Sequence, residues 1–546
     1  MLIAGGGPVG LALALELAYR GIRCALVEQT DGVVLYSKMG HVSVRSMEHC
    51  RRWGLAEQVR HCGFPNDYPL NQVFCTSLNG RHIGTLEYPS IDSDQEAGLS
   101  PERKQRCPQL WFDPILARAA AREPLIQLQY RTRLADFSQD KDAVTVTLES
   151  VPGGEARTLR ASYLVGCDGG ASVVRRSLGI ELEGEVLSYS VGIYFTAKDL
   201  LQHHRMGRGT RYWMIGEEGT WGNLTVVDAK DIWRLTITGG KEKVESDKFD
   251  AEYWLRRCLG RGDIEYHIDA VMPWRRNRML ASGYGSGRVF LAGDACHLNA
   301  PNGGFGMNTG LGDAVDIGWK LQAVLQGWAP AELLATYEVE RRPIARRNVD
   351  AAARNFTLTR PKLSYEHVEE DGPAGEATRA ALRAALFRDT RPEWETTGAH
   401  LGYRYEGSPI IVSDGTPEPF DDMSTYVPCA RPGHRAPHFY LPDGRSVLDL
   451  FGKSFVILQF GPAGAKDPAG ALLRAARSAG VPCESIRIED DAAHRLYERR
   501  LVLVRPDGHV AWRDDEVRMA PAELIATVTG RGRSSAATPA SRTGAG

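Results

Sequence analysis

Charge of one sign is missing from this chain: 66 lysines and arginines oppose 68 aspartates and glutamates, for a formal net charge of −2. Proteins that grip phosphate backbones carry a basic face or stripe, so this balance argues against nucleic acid as a partner. Also missing is any run of about eighteen apolar residues, the length that spans a bilayer. The apolar stretch near the N-terminus is interrupted by glycines and by Glu16, which makes it neither a signal peptide nor an anchor; no membrane partner is expected, and the cytoplasm is the default compartment. The 10 cysteines, at positions 24, 50, 62, 75, 107, 167, 258, 296, 429 and 483, include no C-x-x-C pair and no zinc-finger spacing. A disulfide framework and a structural metal are therefore not expected, and the thiols read as small buried hydrophobes. What remains is an ordinary globular composition, 43% hydrophobic and 25% charged over 546 residues, enough for about two or three domains.

The first 28 residues carry the strongest pattern. Met-Leu-Ile-Ala-Gly-Gly-Gly-Pro-Val-Gly leads into an apolar run with Leu11, Leu13, Leu15 and Leu17, Gly21 ends it, and Ile22–Val27 reads as a strand with Glu28 at its tip. This is a complete dinucleotide-binding unit. Gly5 permits the tight strand-to-helix turn, Gly7 lets backbone approach a pyrophosphate, Gly10 lets the helix pack on the strand, and Glu28 accepts a ribose hydroxyl. The diphosphate then meets the positive end of a helix. Only Met1–Ala4 precede the glycines, so either residues are missing ahead of Met1 or the first strand is trimmed.

Further along, periodicity predicts a helix over 44–61, strands at 72–78 and 81–87, a helix from Pro108-Gln109 to Arg122, strands at 125–130 and 143–149, and a buried strand over 161–167 ending in Asp168. From about 182 to 275 the pattern alternates, in Val191–Ala197, Arg211–Ile215, Trp221–Val227 and Trp233–Thr238, with a short helix at 249–259. That segment reads as a largely antiparallel sheet. Its aromatics, Tyr194, Tyr212, Trp213, Trp221 and Trp233, read singly as core and together as the wall of an aromatic pocket. At Val289–Leu291 an apolar strand runs into Gly293-Asp294-Ala295-Cys296-His297, then Pro301, Gly303-Gly304, Gly306-Met307-Asn308 and a helix to about Gln326. A strand, an acid at its end, a glycine-rich loop and a helix N-terminus make a second ligand cradle.

Three segments, Gly5–Glu28, Asp168-Gly169-x-x-Ser172-x-x-Arg175 and Gly293-Asp294-x-x-His297, resemble the three fingerprints of the class A single-component FAD-dependent aromatic hydroxylases, the family of p-hydroxybenzoate hydroxylase, phenol hydroxylase and the polyketide hydroxylases. The likeness covers about 1–345, where Tyr337-Glu338-x-Glu340-Arg341-Arg342-Pro343 resembles the family's closing helix. By this resemblance Asp294 holds the ribityl chain, and the isoalloxazine lies against Pro301–Gly306 and the helix start at Met307-Asn308. Gln109 contacts FAD, Arg45 opens the helix behind the flavin, and Leu134 offers a backbone contact to adenine. Lys38 stands where the family often has an arginine near the pyrophosphate, keeping the charge but losing the bidentate fork. Asn302 stands where a second proline is common, which is expected to relax the loop. Asp168 and Arg175 are candidates for the nicotinamide groove, since only one complete glycine fingerprint is present.

The implied fold is α/β: a Rossmann-like FAD-binding domain with an interleaved, mostly antiparallel substrate sheet, plus a C-terminal thioredoxin-like domain. The expected boundaries are 1–181 for the first part of the FAD-binding domain, with an interleaved sheet segment at about 70–105, 182–275 for the substrate domain, and 276–400 for the second part with a helical segment. A connector over 401–430 has strand character at Pro409–Val412, the thioredoxin-like domain takes 431–530, and 531–546 reads as a disordered tail. The C-terminal domain holds only Cys483, which excludes thiol exchange and leaves packing or support of a homodimer. The implied activity is a monooxygenase that uses FAD, NAD(P)H and O₂ to hydroxylate a phenolic small molecule through a flavin C4a-hydroperoxide. His41 is the candidate acceptor for the phenol, with His297 behind it, and Tyr194 and Tyr212 are expected to line the ring pocket, Tyr212 also as a catalytic candidate. A flavin-dependent halogenase lacks its Trp-x-Trp-x-x-Pro signature here. A flavin dehydrogenase or oxidase and a non-catalytic flavin-binding protein are the other readings.

Overall fold

Gly5 follows the strand Leu2–Ala4 at φ +108°, a conformation only glycine adopts without strain, and the chain turns at once into the helix Pro8–Tyr19. Every residue from Val9 to Ala18 in that helix is buried, as its near-continuous apolar sequence requires. The helix lies on a six-stranded sheet ordered Gly285–Ser286, Val289–Leu291, Leu164–Gly166, Leu2–Ala4, Cys24–Val27 and Ile126–Gln129, all parallel except the first edge strand. Both the N-terminal strand and the strand that leads to Asp294 belong to this sheet, so their two loops open at the same end of it. The computed structural model describes residues 1–93, 98–462 and 468–532.

An eight-stranded sheet supplies the second layer. Its order is His297–Leu298, His267–Ala281, Leu182–Thr196, Ile232–Thr238, Gly219–Val226, Arg211–Gly216, Gln72–Cys75 and His82–Leu86, antiparallel except where Arg211–Gly216 meets Gln72–Cys75. Strand periodicity sends Ile193, Phe195, Tyr212, Met214, Leu224, Val226, Trp233 and Leu235 to one face, where they pack with Leu255, Cys258 and Leu259 of the helix Ala251–Leu259. The opposite face is polar, and it forms part of the site described below.

Three local expectations are corrected. The helix predicted over 44–61 is two helices, Val44–Arg52 and Ala56–Arg60, because Gly54 takes φ +72° and stops the first. Between the strands predicted at 125–130 and 143–149 lies another, Thr132–Gln139, part of a three-stranded antiparallel sheet; its polar outer face hid the alternation. No strand forms at Pro409–Val412, where Ile411 closes a turn on Ser408 and Val412 bonds the carbonyl of Ala511.

The described chain divides into two compact units, Met1–Val315 with Pro343–Leu401 and Asp422–Tyr426, and Asp316–Arg342 with Gly402–Asp421 and the chain from Val427 onward. The second is built on a four-stranded sheet ordered Cys483–Ile488, Phe455–Phe460, Leu501–Val504 and Val510–Asp514, the last two forming a hairpin across Pro506-Asp507-Gly508. Of the tail at 531–546, Arg531 closes a turn on Ala526, and 533–546 lie outside the described residues.

Candidate active site

The N-terminal grip is built from backbone. A Cβ at Gly5 would lie 2.3 Å from the Cys167 carbonyl and one at Gly10 would lie 2.0 Å from the Gly5 carbonyl, so both positions exclude larger residues. At Gly7, by contrast, a Cβ would meet nothing within 4 Å; this is open approach at a helix N-terminus, the geometry a pyrophosphate needs. Glu28 receives the Gly6 N–H at 2.7 Å and both the N–H and hydroxyl of Thr30 at 2.8 Å. The Thr132 N–H bonds the Glu28 carbonyl, which places Leu134, two residues on and buried, beside the same corner.

The second grip begins at Gly293, held at φ +63° with its Cα against Gly310 and Val9. Asp294 projects at an accessible position and accepts no hydrogen bond among the described residues. The surrounding protein still strips water from it and pushes its pKa up, with His297 and Lys38 pulling the other way. His297 is fully buried and bonds Asp313 at 2.9 Å and Asn299 at 3.2 Å. Burial opposes its charge, but Asp313 and Asp294 outweigh that and raise its pKa. Its bonds fix the turn under Asp294 and leave no ring nitrogen for a substrate. The following helix starts at Phe305, two residues before the expected Met307-Asn308. Asn308 uses its whole amide on protein: it accepts from Ser43 N–H at 2.9 Å and the Ser46 hydroxyl at 2.7 Å, and donates to the carbonyls of Gly304 at 2.7 Å and His41 at 3.2 Å. It therefore acts as a clamp on the glycine loop. The backbone N–H groups of the first helical turn, which includes Gly306 and Met307, are the donors left for a ligand.

Around these grips stand the other predicted residues. Pro301 is exposed at the head of the loop, and Arg45 is buried, paired with Glu48 at 2.7 Å. Lys38 is exposed, and its N–H bonds Gln109, whose amide in turn donates to Asp113 at 2.9 Å. Asp113 escaped the sequence reading, although its place one helical turn after Gln109 was a usable signal. Burial drives its pKa up to about 7, against the pull of Gln109 and Lys38. An acid raised above its unfolded value of about 3.9 contributes stability that is complete below that value and is lost as pH rises toward 7. Thermal melts of the holoenzyme are thus expected to fall more steeply between pH 4 and 7 for the wild type than for Asp113→Asn, and parallel curves would refute this.

Asp168 and Arg175, the nicotinamide candidates, are spent locally. Asp168 receives the Ser172 hydroxyl at 2.5 Å and the N–H groups of Val173 and Val174 at 2.7 and 3.1 Å, capping the helix Val173–Ser177. Arg175 donates to the carbonyls of Ala295 and Gly170, so it ties the second fingerprint to the third.

The polar sheet face comes up against this assembly. Cross-strand register puts Tyr194, Arg234, Thr225, Arg211 and Gln72 in one row, and Gly192, Thr236, Asn223, Trp213 and Phe74 in the next. Arg234 donates to the carbonyls of Ser37 at 2.9 Å and Lys38 at 3.2 Å, and the Tyr194 hydroxyl to Ser37 at 3.3 Å. Tyr194 is therefore on the face that meets the Ser37–Lys38 segment. Tyr212 is not: its ring lies in the apolar core on the other face, and its hydroxyl bonds Gly207 and Gly209. That placement corrects its assignment as a pocket and catalytic residue. His41 lies where a Cβ on Gly304 would stand 3.1 Å from its ring, and its ring centre is 5.7 Å from that of His400. Burial, with His400, Lys104 and Arg106, holds its pKa well below the usual histidine value, and His400 is pushed down to about 3 by burial and Arg347.

Asn302 does not loosen the loop, as its replacement of proline had suggested. Its amide donates to Glu393 at 3.1 Å, Glu393 also receives the Gly303 N–H, and its other oxygen faces Arg211 at 3.4 Å. With the open backbone at Gly7, two helix N-termini and the unpartnered Asp294, this arrangement fits an FAD.

Comparison with known proteins agrees. A family model described as FAD binding domain matches residues 1–352, and one described as aromatic-ring hydroxylase, C-terminal, matches residues 430–531. The 4-methyl-5-nitrocatechol 5-monooxygenase of a Burkholderia species is 35% identical over 558 residues, covering 95% of this chain and 95% of the relative. Among solved structures, the rebeccamycin biosynthetic enzyme RebC with reduced flavin is 38% identical, with a TM-score of 0.89 over 97% of this chain and 98% of RebC. Aklavinone-11 hydroxylase in its ternary complex with FAD and aklavinone is 30% identical, with a TM-score of 0.81 over 97% and 98% of the two chains. No helix among the described residues is long and apolar enough to cross a membrane. The chain belongs to the class A FAD-dependent aromatic-ring hydroxylases and is a flavoprotein monooxygenase.

Proposed function

We propose that this monooxygenase draws its electrons from NAD(P)H and hydroxylates a phenolic ring lying between the glycine loop at 301–304 and the polar face of the eight-stranded sheet. When bound, FAD supplies what side chains cannot, accepting a hydride, reacting with O₂ and passing one oxygen atom to an electron-rich ring. The remaining tasks belong to the chain. The observation that carries the reading is the joining of the sheet face to the Ser37–Lys38 segment through Arg234 and Tyr194 and to the loop at 301–304 through Glu393. These contacts fix the distance between a ring on the sheet and a flavin on the loop, which is the orientation term of catalysis. The N-terminal N–H groups of the helix Phe305–Leu325 favour negative charge at the adjoining edge of the flavin.

His41, neutral at physiological pH, accepts a hydrogen bond from the ring hydroxyl rather than storing its proton. The names of the relatives, a nitrocatechol monooxygenase and an aklavinone hydroxylase, support a hydroxylated aromatic as the substrate. The test is a screen of phenols against the yellow holoenzyme for accelerated NAD(P)H oxidation. Accelerated consumption with a hydroxylated product is expected, whereas release of peroxide alone with every phenol would favour an oxidase.

A further inference from the structure

Two of the ten cysteines meet beside the flavin site. Cys62 follows the helix Ala56–Arg60, is partly exposed, and donates from Sγ to the Arg106 carbonyl at 3.4 Å. The next residue is Cys107, whose thiol is fully buried and hydrogen-bonded to that of Cys62. Backbone fixes both partners. The Cys62 N–H bonds the Val59 carbonyl, the Cys107 N–H bonds that of Gly40 at 3.0 Å, and the Gln109 N–H bonds that of Met39 at 3.1 Å. Arg106 also pairs with His41 across two short strands, so Cys107 is stitched into the segment that carries Lys38 and His41. The Arg106 guanidinium, 5.4 Å from the ring centre of Phe64, is buried with its Nε unpartnered and joins no ion pair among the described residues. Contact with Cys107 brings the Cys62 thiol down to about 7, against burial and helped by the Phe64 N–H and Arg106, while Cys62 and burial push the Cys107 thiol up. Cys62 is therefore the nucleophile of the two.

Buried structural thiols are inert, whereas a partly exposed thiol with a second thiol at hand is the arrangement that peroxide oxidises. We infer that Cys62 and Cys107 are a modification site for hydrogen peroxide, which oxidises the pair to a reversible disulfide. Peroxide is what remains when electrons pass to O₂ with no aromatic ring to take the oxygen atom. In the first step the Cys62 thiolate attacks one peroxide oxygen: an S–O bond forms, the O–O bond breaks, and the departing hydroxide takes up a proton and leaves as water. Sulfur is oxidised by two electrons and peroxide is reduced. In the second step the Cys107 sulfur attacks the Cys62 sulfur: the S–S bond forms, the S–O bond breaks, and the oxygen leaves with the Cys107 proton as a second water. The arrangement that fits FAD is the dithiol one. Drawing the sulfurs to bonding distance takes Cys62 off the Arg106 carbonyl and pulls on the chain tied to Gly40 and Met39, so the disulfide weakens the grip on the flavin.

The experiment treats the holoenzyme with stoichiometric hydrogen peroxide, then denatures, alkylates and digests it with trypsin for mass spectrometry. Two of the ten thiols are expected to be lost, with peptide 61–81 joined to peptide 107–118 and fragment ions placing the bond at Cys62 rather than Cys75. Dithiothreitol should restore both thiols. Cys62→Ser should keep its remaining thiols at the same dose, and Cys107→Ser should stop at a sulfenic acid on Cys62 that dimedone captures. The wild-type map needs neither variant to fold, and because the peroxide is added it does not depend on the proposed hydroxylation. Cys62 and Cys107 still open to alkylation after peroxide, or a bond joining either of them to a different cysteine, would overturn the assignment. Diluting the dithiol and disulfide holoenzymes and reading the fluorescence of released flavin gives the two FAD dissociation constants. The disulfide form is expected to hold FAD about fivefold or more weakly, the lower end of coupling between linked sites, and equal constants would overturn its action on the flavin grip.

Discussion

Replacing Asp294 by alanine is expected to give largely colourless protein. Asp294 accepts no hydrogen bond among the described residues, so its removal costs the fold little, and it sits on the turn Gly293–Ala295 that His297 and Asp313 hold rigid from below. Its carboxylate is therefore free to accept hydroxyls of the ribityl chain. A charge-assisted hydrogen bond contributes about 1.5–3 kcal/mol, and loss of two lowers FAD affinity by about a hundred- to ten-thousandfold. The ratio of flavin to protein absorbance after desalting reads this directly. Full flavin occupancy with an unchanged far-ultraviolet circular dichroism spectrum would show that Asp294 does not hold the cofactor.

The second large effect concerns Arg505 in the C-terminal unit. Its fully buried guanidinium meets Glu340 at 2.6 and 3.0 Å, Asp507 at 2.5 and 3.2 Å and Asp316 at 3.4 Å, and lies 5.0 Å from the ring centres of both Trp319 and Tyr405. Lys320 covers Asp316 and Glu340 from the other side, at 2.6 and 2.7 Å. Arg505→Met leaves Asp316 and Glu340 to Lys320 and Asp507 to His509. Removing one member of a buried ionic group costs about 3–5 kcal/mol because the uncompensated charge stays buried. The unfolding transition of the C-terminal unit should move by that amount, and Glu340→Gln added to Arg505→Met should recover part of it. A loss below about 1 kcal/mol would mean that water or rearrangement already screens the cluster.

These two cases also show what the sequence made legible. The glycine fingerprints could be read because their constraints are backbone constraints, written locally: Gly5 needs its positive φ and Gly10 its missing Cβ whatever packs around them. The turn at Pro506-Asp507-Gly508 was legible for the same reason, yet the pairing of Asp507 with Arg505 and Glu340 was not, because Glu340 lies 165 residues from Arg505. Strand alternation at 211–215 showed that two faces exist without showing which one meets the flavin. Tyr194 and Tyr212 thus looked equivalent, and the structure put them on opposite sides. Glu393 carried no signal at all: it sits in the helix Pro373–Trp394, 91 residues from the Asn302 it anchors. Asn302 itself read as a weakened proline position, because the bond that replaces the rigidity of proline comes from that distant helix.

The account is tested most directly by the origin of the oxygen in the product. In a reaction run under ¹⁸O₂ with an accepted phenol and NAD(P)H, mass spectrometry should find one ¹⁸O atom in the new ring hydroxyl of each product molecule. A product whose added oxygen is unlabelled, or label found only in peroxide and water, would contradict it.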